Sequence, residues 1–147
     1  MYEAYISSMN NYDKLVRNIN KYTSSSDYIV NITSIQNSII KADEKELSTI
    51  INKYTRFKNT VFNIAFFNDD AIENGYPHTV NNTIMLPVKY YFNMKQQKQR
   101  IILLIHEFIH VYQRTHPFEF NHLLIHTLGL RIDNFTDAYY KNRKRSN

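Results

Sequence analysis

Cysteine and tryptophan are absent from the 147 residues, and glycine and proline number only two and three. Without cysteine there are no disulfides, no thiolate nucleophile and no cysteine-held metal, so any metal here is held by nitrogen and oxygen. With so little glycine, tight turns must use other residues that tolerate left-handed backbone, and the abundant asparagines are the candidates. Long apolar runs are missing too. The longest, residues 101–105, stops at a histidine, far short of the roughly 20 residues of a membrane span. The opening MYEAYISSMNNYDK carries an early acid and no apolar stretch of signal-peptide length. The expectation is a soluble, intracellular protein, cytoplasmic or nuclear, that does not engage a membrane.

What is present is ordinary for a globular chain: 43% hydrophobic and 21% charged residues. The length suits one domain over residues 1–147 and is short for two. The net charge of +5 is spread along the sequence, except for KNRKR at residues 141–145. That basic tail is a candidate nucleic-acid contact, with a solvated chain end as the plain alternative. Nothing in the sequence fixes an oligomeric state.

Tyr5, Ile6, Met9, Tyr12, Leu15, Val16, Ile19 and Tyr22 recur at helical spacing, which predicts an amphipathic helix over residues 4–22. Ser24-Ser25-Ser26-Asp27 ends it, and residues 28–40 suit a short strand or more helix. DEKELSTIINKY, residues 43–54, predicts a helix with acids in its first turn and Leu47, Ile50, Ile51 and Tyr54 on one face. VFNIAFF, residues 61–67, is β-prone, and Asn68-Asp69-Asp70 marks a loop after it. Residues 83–86 predict a short edge strand closed by Pro87. Asn93 is expected to cap a long helix over residues 94–114. A further helix is expected to begin at Pro117 and stop at Gly129, a natural residue for a helix end.

Within the long helix lies HEFIH, residues 106–110. Helical residues four apart are separated by about 6 Å of rise and about 40° of rotation. His106 and His110 therefore project from one face, where both imidazoles can meet one Zn2+. Glu107 is placed to take a proton from a zinc-bound water rather than to bind the metal. Chance produces HExxH in roughly one such chain in a hundred. The structural alternative, an amphipathic helix with polar positions on its apolar side, leaves those groups unsatisfied.

A catalytic zinc normally has a third protein ligand. The downstream candidates are His116, Glu119, His122, His126, Asp133 and Asp137. A straight helix would carry His116 to the wrong face, but Pro117 disfavours helical geometry at the residue before it. A turn at Thr115-His116 can swing that imidazole back, so the spacing favours His116. Glu119 or His122 would instead give a gluzincin-type site. His122 and His126 otherwise read as partly buried polar residues. His78 is either a carbonyl-polarising group or a turn residue; Tyr139, Tyr140, Asp133 and Asp137 offer only weaker supporting roles.

HEFIHVYQRTHPFEFNHLL, residues 106–124, resembles HExxHxxxxxHxxxFxxLL. That is the active-site stretch of WLM-family zinc peptidases and the related YgjP-like proteins, near kin of the SprT/Spartan group. His106, Glu107, His110 and His116 match its histidines and glutamate; Phe120, Leu123 and Leu124 match its apolar positions. Metzincins share the third histidine, but Gln113 stands where they have glycine, and no methionine follows residue 94 to form their Met-turn. Back to about residue 77, the chain also looks similar to small metallopeptidases inferred for large DNA viruses.

Together these readings give an α+β, zincin-like fold: N-terminal helices, a small sheet with an edge strand, the HExxH helix and a C-terminal helix. The edge strand is expected to hold a protein or peptide substrate as an added β-strand. The expected activity is zinc-dependent peptide-bond hydrolysis, with Glu107 as general base and His106, His110 and His116 as ligands. The rival is a catalytically idle zinc-binding domain that serves as a protein or nucleic-acid interaction module. The resemblance also implies proteolysis of proteins on DNA, although no accessory DNA-binding segment is recognisable.

Overall fold

The computed structural model describes residue 11, residues 29–68 and residues 73–130. Among these the chain is α+β, with four helices and a three-stranded mixed sheet. The helix expected over residues 4–22 lies, Asn11 apart, outside the described residues, as does the basic tail. The chain divides into two units, the first ending at Thr115 and the second starting at His116.

In the first unit, helix α1 (Ser34–Ile51) starts earlier than its acidic residues suggest. Its signal is a capping box: the Gln36 amide donates to Thr33 Oγ1 at 3.2 Å, and the Thr33 amide donates to Gln36 Oε1 at 2.9 Å. Asp43 and Glu44 consequently sit in mid-helix, not in the first turn. Leu47 and Ile51 are buried, whereas Tyr54 lies beyond the helix end and is exposed.

The sheet contains β1 (Asn63–Phe67), β2 (His78–Val80) and β3 (Thr83–Pro87) in the order β1-β3-β2. The edge strand expected at residues 83–86 is thus the central strand, parallel to β1 and antiparallel to β2. All five of its residues are buried, which is the two-sided apolar character of an interior strand. Pro87 is tolerated because it sits at the strand's last position. The true edges differ. β1 is partly covered by an Ile29–Phe67 bridge, with the Val30 amide donating to the Phe66 carbonyl at 2.9 Å. β2, unforeseen in the sequence, joins β3 through Asn81-Asn82. Asn81 there has φ 52° and Asn74 has φ 54°, so asparagine does supply left-handed turns that glycine would usually make.

Asn93 does not cap the long helix but ends a short one, α2 (Val88–Asn93); α3 (Gln97–Thr115) follows. Ile101, Leu104, Phe108, Val111 and Tyr112 form the buried stripe of α3, which lies against α1, β2 and β3. Phe57 packs edge-on against Phe108 and Tyr112, and Phe62 against Phe108.

A buried polar cluster joins α1 to α2 and α3. Asp43, fully buried, accepts from the Tyr91 hydroxyl at 2.8 Å, Gln97 Nε2 at 3.1 Å and Arg100 Nε at 2.6 Å. Arg100 also donates to the Met94 carbonyl at 2.7 Å, at the break between α2 and α3. Burial and the Asp43 carboxylate hold the Tyr91 phenol well above its ordinary value.

The second unit opens at His116, whose φ −132° and ψ 59° are not helical, as expected of the residue before Pro117. Helix α4 (Pro117–His122) runs into a π-helical turn, Leu123–Thr127. The turn closes at Gly129, which has φ +64°, with the Leu130 amide donating to the Leu124 carbonyl at 2.9 Å.

Removing Asp43 strands a nearly buried guanidinium and a buried phenol. Asp43→Ala is therefore expected to lower unfolding free energy by about 3–5 kcal/mol in a urea titration. A loss under about 1 kcal/mol, the scale of an exposed pair, would show that the cluster does not hold the helices together.

Candidate metal centre

The buried stripe of α3 sets the rotation of the helix, and the rotation sets the site. With Leu104, Phe108 and Val111 turned inward, Glu107 shares the inward side and is 4% exposed. His106 and His110 fall on the exposed flank. The imidazoles therefore do not interrupt the apolar face, and the desolvation argument raised from the sequence applies to Glu107 alone.

The two rings face each other. Their centroids are 4.7 Å apart at 83°, and His106 Nε2 and His110 Nε2 stand 3.2 Å apart. Two nitrogens bound at 2.0–2.1 Å to one tetrahedral zinc would lie about 3.3–3.4 Å apart. The pair is thus spaced as two ligands of one ion would be, at a contact that is itself an imidazole–imidazole hydrogen bond, and two nitrogen donors at this spacing fit the metal that the motif implies. Among the described residues, however, no third His, Asp or Glu joins a pair to make a group of three.

Electrostatics separate the roles of the three side chains. Burial pushes the Glu107 carboxyl above the usual carboxylate value, and the nearby charges of His106 and Arg114 pull it partly back. Partial burial, followed by the His106 ring, lowers the His110 value; the Gln113 side chain acts the other way. A lowered value keeps His110 neutral, with a lone pair for a metal, at lower pH than a free imidazole.

Sequence reasoning missed two neighbours on the same helix. Gln113, three residues on from His110, favours the charged form of that imidazole. Arg114 Nη1 donates to the Thr79 and Asn81 carbonyls, each at 3.2 Å, and so ties the end of α3 to the β2–β3 hairpin. No local pattern foretells a contact between residues 35 and 33 positions apart.

His78 lies in β2 rather than in a loop. Its Nδ1 is 2.9 Å from the Tyr76 carbonyl, and its ring is tilted against Phe67 at 5.1 Å. In the second unit, Glu119 is exposed in the first turn of α4. His122 and His126 are exposed rather than partly buried, with ring centroids 4.4 Å apart. Asp133, Asp137, Tyr139 and Tyr140 lie outside the described residues.

A raised carboxyl value means that folding disfavours the ionised form of Glu107. The penalty is full at pH values above the raised folded value. It fades as pH falls through that value toward the ordinary one near 4.3. Metal-free Glu107→Gln protein should therefore melt higher than the parent at pH 7, by a few degrees. The gap should close as pH falls toward about 4.3. A lower melting temperature at pH 7 would show that the ionised carboxylate is well accommodated.

In comparisons with protein-family models, curated proteins and solved structures, nothing matches this chain.

Proposed function

We propose that the chain is a zinc-dependent peptidase of zincin-like architecture, with His106, His110 and His116 as metal ligands and Glu107 as general base. The observation that carries the reading is the approach of His106 Nε2 and His110 Nε2 to 3.2 Å, the spacing of two ligands on one zinc, beside a buried carboxyl on the next residue. His116 enters as third ligand because its backbone leaves the helical path immediately before Pro117.

Zinc held by these residues would supply Lewis acidity, lowering the pKa of a water and polarising the scissile carbonyl. The chain's own residues do the rest. Glu107, with its carboxyl raised by burial, takes a proton at neutral pH and returns it to the leaving amine. Arg114 fixes the end of α3, the helix that carries His106 and His110, against the hairpin.

The substrate strand must be placed anew, because β3 has partners on both sides. The candidate edge is β2, which packs on the metal helix. One observation favours the rival reading of an idle zinc-binding interaction module: β2 has only three residues, and Arg114 already occupies the Thr79 carbonyl. The substrate is accordingly proposed only as protein or peptide, and nucleic-acid contact through residues 141–145 is a proposal resting on sequence alone. Among the described residues, no helix is long and apolar enough to cross a membrane.

The deciding experiment pairs metal content with hydrolysis. Glu107→Gln should retain zinc at parental level and lose peptide hydrolysis by about 100-fold or more, the usual scale for deleting a general base. Equal rates in parent and variant would remove Glu107 from the mechanism. Zinc-loaded parent that cleaves neither casein nor a mixed peptide library would support the idle module instead.

A further inference from the structure

A second pair of histidines repeats the four-residue spacing outside the HEFIH site. His122 ends α4 and His126 lies in the π-helical turn that follows. Their rings are 4.4 Å apart with planes inclined at 34°, and both residues are exposed. Neither ring fills a core position, and neither has a part in the proposed hydrolysis.

We propose that His122 and His126 form a separate, exchangeable site for a borderline divalent cation, with Cu2+ held more tightly than Zn2+. The backbone beneath the pair is fixed at both ends of the turn. The Leu128 amide donates to the Leu123 carbonyl at 3.1 Å, and the chain is closed by Gly129 in left-handed conformation. The rings are already neighbours on an exposed face, so rotation about side-chain bonds suffices to turn two nitrogens toward one ion. The spacing is the same that sets His106 and His110 nitrogen to nitrogen at 3.2 Å.

Two imidazoles from residues four apart suit Cu2+, Ni2+ and Zn2+, and the intrinsic order of such nitrogen sites places Cu2+ first. Among the described residues, no third His, Asp or Glu completes a group of three, and the exposed pair leaves water free access to the remaining positions. An open, surface-facing coordination sphere of that kind exchanges its metal more readily than a site held by three protein ligands. This inference does not rest on the peptidase reading, because it uses none of the same residues.

The test begins with full-length His106→Ala/His110→Ala protein, which lacks the HEFIH pair. Titration with Cu2+ at neutral pH, read by electron paramagnetic resonance, should show one copper with two equatorial imidazole nitrogens. Adding His126→Ala or His122→Ala should weaken that copper at least tenfold and leave a one-imidazole spectrum. In the otherwise native chain, His126→Ala should leave the zinc content unchanged. The proposal is overturned if copper binding is indifferent to His126, or if the spectrum shows fewer than two imidazoles. It is equally overturned if His126→Ala strips zinc from the native chain, since the pair would then belong to the first site.

Discussion

The rotation of one helix about its own axis governs the arrangement. Leu104, Phe108 and Val111 are completely buried, and Phe57 and Phe62 lock Phe108 edge-on. Once that stripe is seated, the 100° step between neighbours leaves no freedom for the residues between. Glu107 goes inward with the stripe; His106 and His110 go to the flank, one above the other. Burying a single large side chain contributes about 1.5–3 kcal/mol, so several such anchors outweigh the penalty of one desolvated carboxyl. The stripe thereby separates a buried carboxyl from two exposed imidazoles within five consecutive residues.

How α3 is held in place was less legible than what it carries. The meeting of His106 with His110 could be read directly because it is local: four residues of spacing dictate which side chains meet. The bend at His116 was legible for the same reason, since Pro117 acts on its immediate neighbour. The centrality of β3 was not. An edge strand and an interior strand of five residues differ in what lies beside them, and Pro87 suggested an edge while standing harmlessly at the strand's end. Asp43 is the clearest case of a misleading local signal. As an acid near an apparent helix start it suggested a dipole effect, whereas the Thr33–Gln36 box begins the helix nine residues earlier, at Ser34. Asp43 instead answers Arg100, 57 positions away, a pairing no periodicity encodes.

That pairing also bears on function. Asp43 gathers donors from α2 and α3 at the break around Met94, and Arg114 fastens the opposite end of α3 to the hairpin. The helix that carries the histidines is thus tied by polar contacts near both ends and by apolar packing between. A metal site gains from such fixation, because ligands held in place before binding lose less freedom when the ion arrives. Among the described residues of the second unit, Phe118, Leu128 and Leu130 are exposed.

The central claim is that one zinc is shared by His106, His110 and His116, and X-ray absorption at the zinc edge addresses it most directly. Protein purified without chelator should contain one zinc per chain, with three nitrogen ligands at about 2.0–2.1 Å and one oxygen. His116→Ala protein reloaded with zinc should show two nitrogens. A chain that takes up no zinc at neutral pH, or a nitrogen count unchanged by His116→Ala, would contradict the account.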